Sequence, residues 1–322
     1  MKEQKYMSKE YTNCLRGIFA ILVVVHHLYQ YSGLFRGTYI GVILQLFGFL
    51  SVAMFFFLSG FGLMFSTNKK NYIHQFFRKR FLPLYCFYVF LIILYSLWTL
   101  FLEKEISLYR IIQSFFFGGT IVTNGWYMQA TFVMYLLYLL VFKFFKLAKT
   151  QILFFSIGIF AYCVVCRLLD LGINWYQTIP CMALGMIYCN NKNHIDVVLQ
   201  KYAWRIFGLF SILFAVSFLL SVVTKIMVLF DVLYSLFFVC AMISLAYIFC
   251  NTSLIENKFT KLCGEYSLEI YVTHGLFLRL IKLKYIENIP LYIITVIIGT
   301  ILMSLIIKKM HIKIMSFFKQ MA

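Results

Sequence analysis

Runs of about 18 to 25 apolar residues recur from one end of this chain to the other with only short connections between them, and each can cross roughly 30 Å of hydrocarbon. In hydrocarbon every backbone N–H and C=O must find its partner inside the protein, and a helix provides those partners along its own length. The expectation is an all-α polytopic membrane protein, a single transmembrane domain over residues 1–322. The spans fall at roughly 15–33, 40–66, 80–102, 126–147, 151–169, 174–190, 204–224, 229–250, 265–284 and 289–307, about ten helices. Composition agrees: 63% of residues are hydrophobic and 12% charged, too few polar side chains to cover a soluble domain.

The formal net charge of +18 does not point to nucleic acid, because the bases lie in the connections, where they report topology. With the amino terminus inside, twenty of the 29 Lys and Arg fall in cytoplasmic segments, eight on the other side, and Arg16 at the boundary. That bias predicts both termini in the cytoplasm. The first apolar run has no small-residue cleavage site and is expected to be a retained helix. Nine cysteines, an odd number, are scattered along the helices; Cys163 and Cys166 form a lone CxxC that reads as two helix-face residues, so no metal is expected. There is no GxxxxGK[ST] loop, hence no encoded nucleotide hydrolysis.

The segment LRGIFAILVVVHHL, Leu15 to Leu28, places an arginine and two histidines in an otherwise apolar helix. Ionisable groups within a membrane span are expensive and are functional candidates by default. Arg16 and His27 are eleven residues apart, about 20° beyond three full turns, so they share a face, with a rise of about 16 Å between them. His26 lies about 80° from Arg16 and points elsewhere. The plainer alternatives are a snorkelling topology anchor for Arg16 and an interhelical hydrogen bond for His27.

This segment resembles the first helix of membrane acyltransferase family 3, integral membrane enzymes that acylate surface polysaccharides and other extracytoplasmic acceptors. Further segments are similar to that family in the same order: MFFFLSGFGLMFS (Met54 to Ser66), FFRKRFLPLYCFY (Phe76 to Tyr88), GWYMQATFVMYLLY (Gly125 to Tyr138), IPCMALGMIY (Ile179 to Tyr188) and GEYSLEIYVTHGLF (Gly264 to Phe277). One departure is that Phe81, Leu82 and Pro83 directly follow Arg80, where the family commonly has a further arginine.

The resemblance implies transfer of an acyl group, most simply acetyl, from a cytoplasmic acyl-coenzyme A to a hydroxyl of a surface glycan or lipid-linked precursor outside a bacterial cytoplasmic membrane. The coenzyme is then donor substrate, and no cofactor is implied. A hydroxyl needs a base near neutral pH, which suits His27. Coenzyme A phosphates need cations, which suits Arg16, Arg78 and Arg80, and the rise from Arg16 to His27 is comparable with an extended pantetheine arm.

His274, Glu269, Ser59 and Trp126 are carried over as residues lining the acyl or acceptor path. Each also has a structural reading: a hydrogen-bonded helix contact for His274 and for Glu269, whose carboxyl is expected to be either neutral or partnered, as by an arginine at the donor mouth, close helix packing at Ser59 and Gly60, and an interfacial belt for Trp126. By rise, His274 is expected somewhat less deep than His27, and Asp231 is expected at a solvated helix end. The alternative activity is a carrier or exporter of a surface polysaccharide, which would favour a wide polar cavity over charges gathered on two helices.

Overall fold

The computed structural model describes residues 6–103, 105–224 and 227–320. Lys2, Lys5, Lys104 and Lys225, counted above among the topology-setting bases, lie outside the described residues. Among those described there are helices and no strands: α1 (Lys9–Ser32), α2 (Tyr39–Thr67), α3 (Tyr72–Glu103), α4 (Leu108–Ser114), α5 (Trp126–Phe144), α6 (Ala148–Leu168), α7 (Pro180–Asn190), α8 (Lys192–Val223), α9 (Met227–Ile248), α10 (Lys258–Glu265), α11 (Ser267–Lys282) and α12 (Ile289–Gln320). Each of the ten expected spans coincides with a helix. Among the described residues, eight helices are long and apolar enough to cross a membrane; α7 and α11, with 11 and 16 residues, are shorter. The chain is a polytopic, all-helical membrane protein.

Local chemistry sets the ends. Ser8 accepts from the Tyr11 amide at 3.1 Å and caps α1, which stops at Gly33, whose φ of 71° is open to glycine without a Cβ penalty. Asn288 caps α12 through the Leu291 amide at 2.9 Å. In α3, Phe77–Phe81 is a π-turn, with the Leu82 amide bonded to the Phe77 carbonyl. Pro83, which brings no N–H to the ladder, follows directly.

Two compact units share the chain. The first comprises Met1–Val23, Leu46–Lys69 and Lys146–Glu265. Its helices meet backbone to backbone: a Cβ at Gly60 would strike the Met182 carbonyl, one at Gly185 the Phe57 carbonyl, and one at Gly264 the Asn13 carbonyl. The segments containing Ser59 and the LGM run are therefore a packing seam of small residues. Tyr6 and Tyr11 donate to the carbonyls of Ile243 (2.8 Å) and Ala246 (2.5 Å). Asp231 is 6% exposed, so it is not a solvated helix end; it is held among the hydroxyls of Tyr234 and Ser221. On α8, Trp204, Leu209, Ile212, Val216 and Leu219 face outward, an apolar surface suited to lipid.

The second unit comprises Val24–Gln45, Lys70–Phe145 and Tyr266–Ala322. Leu278, Tyr292 and Val296 form a core between α11 and α12, joined by Leu28 and Tyr31 of α1. Thr273 bonds to Ser304 at 3.0 Å, while Tyr95 and Trp98 of α3 donate to the carbonyls of Val272 and Leu276, each at 2.7 Å. These bonds fix α11 against its neighbours and so set the height at which His274 stands.

Candidate active site

Adjacent residues on a helix point about 100° apart, and the two histidines of α1 are used differently. His26 is 5% exposed and its Nδ1 bonds to the Leu44 carbonyl at 2.9 Å, tying α1 to the start of α2. His27 is half-buried and bonds to two side chains. Its Nδ1–H donates to Gln30 Oε1 at 2.9 Å, one turn along the same helix, and its Nε2 accepts from Asn124 Nδ2, also at 2.9 Å. The ring carries one proton, on Nδ1, and the lone pair of Nε2 faces Asn124.

Asn124 stands in the non-helical segment before α5 with φ of 59°, a left-handed conformation that asparagine tolerates better than most residues. Its carbonyl accepts from the Tyr271 hydroxyl at 3.1 Å, and Tyr271 in turn packs on Tyr127 with ring centroids 5.1 Å apart. Ile121 and Val122, just upstream, are buried. A loop at this position is tolerable in a membrane protein because it is enclosed by protein.

The third ring is His274, 0% exposed, stacked on His27 with centroids 5.2 Å apart and planes inclined by 22°. The two histidines stand side by side, which corrects the lower depth expected for His274. Its Nδ1–H donates to the Ile270 carbonyl at 3.0 Å, leaving the Nε2 lone pair buried with no hydrogen-bond partner. Gly275 lets α11 come close: a Cβ there would lie 2.6 Å from the Tyr95 hydroxyl and from Thr123. An open depression of about 340 Å³, lined by Gln30, Tyr31, Ile281 and Lys282, lies beside the residue that orients His27.

Glu269 is 0% exposed and pairs with Lys308 (3.2 Å) and His311 (2.5 Å), both from α12, so the expected arginine partner is replaced by a lysine and a histidine. The His311 ring stacks on Phe87 at 4.4 Å. A buried carboxylate held on both oxygens is affordable where an isolated one is not.

Arg16 and Ser59 belong to the first unit, both half-buried, with the Arg16 guanidinium 3.9 Å from where a Gly62 Cβ would stand. Arg78 and Arg80 are exposed on the π-turn, and Trp126, half-buried, opens α5 two residues after Asn124; these belong to the second unit. Of the residues singled out from sequence, His27 and His274 are thus in direct contact. Gln30, Asn124, Tyr271, Lys308 and His311 were not singled out. Gln30 could have been found from its spacing of three from His27, whereas nothing local to Asn124 signals that it meets α1.

A comparison with protein families matches residues 9–309 to family 3 of the acyltransferases, described as an acyltransferase domain. Comparisons with curated proteins and with solved structures return no match.

Proposed function

Because this chain belongs to acyltransferase family 3 and is thereby a membrane acyltransferase, we propose that it transfers an acyl group, acetyl in the simplest case, from acyl-coenzyme A to a hydroxyl of a surface glycan or its lipid-linked precursor. His27 is the general base. The observation that carries the reading is its ring, oriented through Nδ1–H by Gln30 while Nε2 keeps its lone pair among polar neighbours. A side chain that orients the base so that its unprotonated nitrogen is presented to the nucleophile is what acyl transfer to a poor nucleophile requires.

In this reaction the acceptor oxygen attacks the thioester carbonyl carbon, and its proton passes to His27 Nε2. The tetrahedral intermediate collapses with cleavage of the C–S bond. The thiolate leaves as coenzyme A and takes the proton back from His27, so the base is regenerated. The unpartnered Nε2 of His274 supports a substrate group passing beside His27, and His274, Glu269, Ser59 and Trp126 line the acyl or acceptor path. Arg16, Arg78 and Arg80 take the donor phosphates at the cytoplasmic side, with both termini in the cytoplasm of a bacterial cell. The depression beside Gln30 suits an acceptor arriving from the opposite face.

The test is a purified preparation in proteoliposomes, supplied with acetyl-coenzyme A and a surface-glycan extract of the source cells. Thiol release and glycan acylation that vanish in His27→Ala support the reading. A folded preparation that releases no thiol but moves labelled glycan across the bilayer replaces it with an exporter.

A further inference from the structure

The Nε2 lone pair of His27 is occupied. The side-chain amide of Asn124 donates to it at 2.9 Å, so an acceptor hydroxyl reaching the base must take that place. Resting on the acyl-transfer reading, we propose that Asn124 is a second catalytic residue: displaced from His27 by the incoming hydroxyl, its N–H turns to the acyl carbonyl oxygen and stabilises the oxyanion of the tetrahedral intermediate.

Three observations converge on this assignment. The first is reach. The carbonyl carbon under attack is bonded to the oxygen whose proton His27 takes, so its carbonyl oxygen lies within a few ångströms of Nε2, inside the range of an amide whose nitrogen starts 2.9 Å away. The second is chemistry. A carboxamide N–H donates without giving up its proton, and side-chain amides serve as oxyanion donors elsewhere. The third is preorganisation: the backbone of Asn124 is held at φ of 59°, with its carbonyl clamped by the Tyr271 hydroxyl at 3.1 Å, so the side chain needs only to rotate.

The electron count is that of the transfer itself. The carbonyl π pair moves to oxygen as the C–O bond forms, the Asn124 N–H binds that oxygen, and the pair returns as the C–S bond breaks. No proton leaves Asn124.

The position also supplies its own controls. Glycine accepts the left-handed backbone, so Asn124→Gly removes the amide and keeps the turn, and Asn124→Asp keeps the shape while removing the N–H donors. In the proteoliposome assay with acetyl-coenzyme A and the glycan extract, both variants should lose about 10²- to 10³-fold in kcat, with KM for acetyl-coenzyme A within about threefold of the parent. A loss confined to KM, or Asn124→Asp within about tenfold of the parent, overturns the assignment while leaving the acyl-transfer reading intact. Absence of thiol release from the parent protein itself removes both. Monodisperse elution and an unchanged thermal midpoint separate loss of catalysis from loss of fold.

Discussion

The imidazoles of His27 and His274 lie face to face, 5.2 Å between centroids, although they come from helices near opposite ends of the chain. Because His274 is fixed by its own helix carbonyl and α11 by Tyr95 and Trp98, the stack holds the His27 ring from one side as Gln30 holds it from its edge. Movement of α11 therefore reaches the base directly.

Replacement of the two neighbouring histidines should separate catalysis from structure. His27→Ala is expected to lower the turnover by about 10²- to 10⁴-fold with the fold retained. His26→Ala loses one buried hydrogen bond, about 1 kcal/mol of stability, and keeps substantial turnover. Thiol release per monodisperse protein, alongside thermal melting in detergent, reads both, and equal loss of turnover in the two would mean the wrong ring has been assigned.

Arg16→Gln and Arg80→Gln should each weaken acetyl-coenzyme A binding by about 1.5 to 3 kcal/mol, or roughly ten- to a hundredfold in Kd. Lysine keeps the charge without the bidentate fork and should restore only part of the affinity. Titration calorimetry on the solubilised protein measures this, and unchanged affinity would leave these arginines as topology anchors.

Glu269 tests a different kind of energy. Removing one member of a buried ionic group leaves the others uncompensated, so Glu269→Gln should destabilise by about 3 to 5 kcal/mol. Combining it with Lys308→Met should recover much of that loss, a coupling of about 1 to 3 kcal/mol in a double-mutant cycle. Additive losses in denaturant unfolding would show that the pair makes no net contribution.

Gly275→Ala should push α11 away from Tyr95 and Thr123, at about 1 to 3 kcal/mol for the overpacking. Since the displaced helix carries His274, turnover should fall with stability. Turnover unchanged despite lowered stability would show that the stack is not needed for catalysis.

Topology is open to labelling in intact cells. With the native cysteines removed, a cysteine at Ser107 should react with a membrane-impermeant maleimide, and one at Asn71 should not. The reverse pattern would invert the orientation on which the donor and acceptor sides depend.

The helices were legible because lipid demands long uninterrupted apolar runs, and the stretches from residue 39 to 67 and from 227 to 248 leave little alternative. The polar extension of the last one was not. Hydropathy starts the seventh span near residue 204, and the backbone agrees: it leaves helical angles at Tyr202 (φ −133°, ψ 15°), so the earlier part of α8, where Asp196 is paired with Lys192 and accepts from Tyr188 at 2.8 Å, is a polar helix joined to the span across a kink. Hydropathy ends the last span near residue 307, yet α12 runs on to Gln320, carrying the Lys308 and His311 that hold Glu269. There tertiary ionic contacts sustain helix where hydropathy falls. The site divides the same way. His27 and His274 stood out as polar residues in apolar surroundings, whereas Asn124 sits among polar loop residues and acquires its meaning only when the loop folds against α1.

The π-turn at Phe77–Phe81 has a consequence for chain length. A π-turn holds one residue more than an α-turn, so deleting a single residue within it leaves an ordinary helix. Because five residues of a π-turn sweep nearly the angle that four sweep in an α-helix, Tyr72 and Phe76 upstream and Pro83, Tyr88 and Tyr95 downstream would all keep their faces, and only the residues inside the turn would be re-aimed. The direction in which Arg78 and Arg80 present their guanidinium groups is thus written in the length of this one turn as much as in their identity, and a one-residue gap there in a related chain would re-aim those cations while leaving the rest of α3 in register.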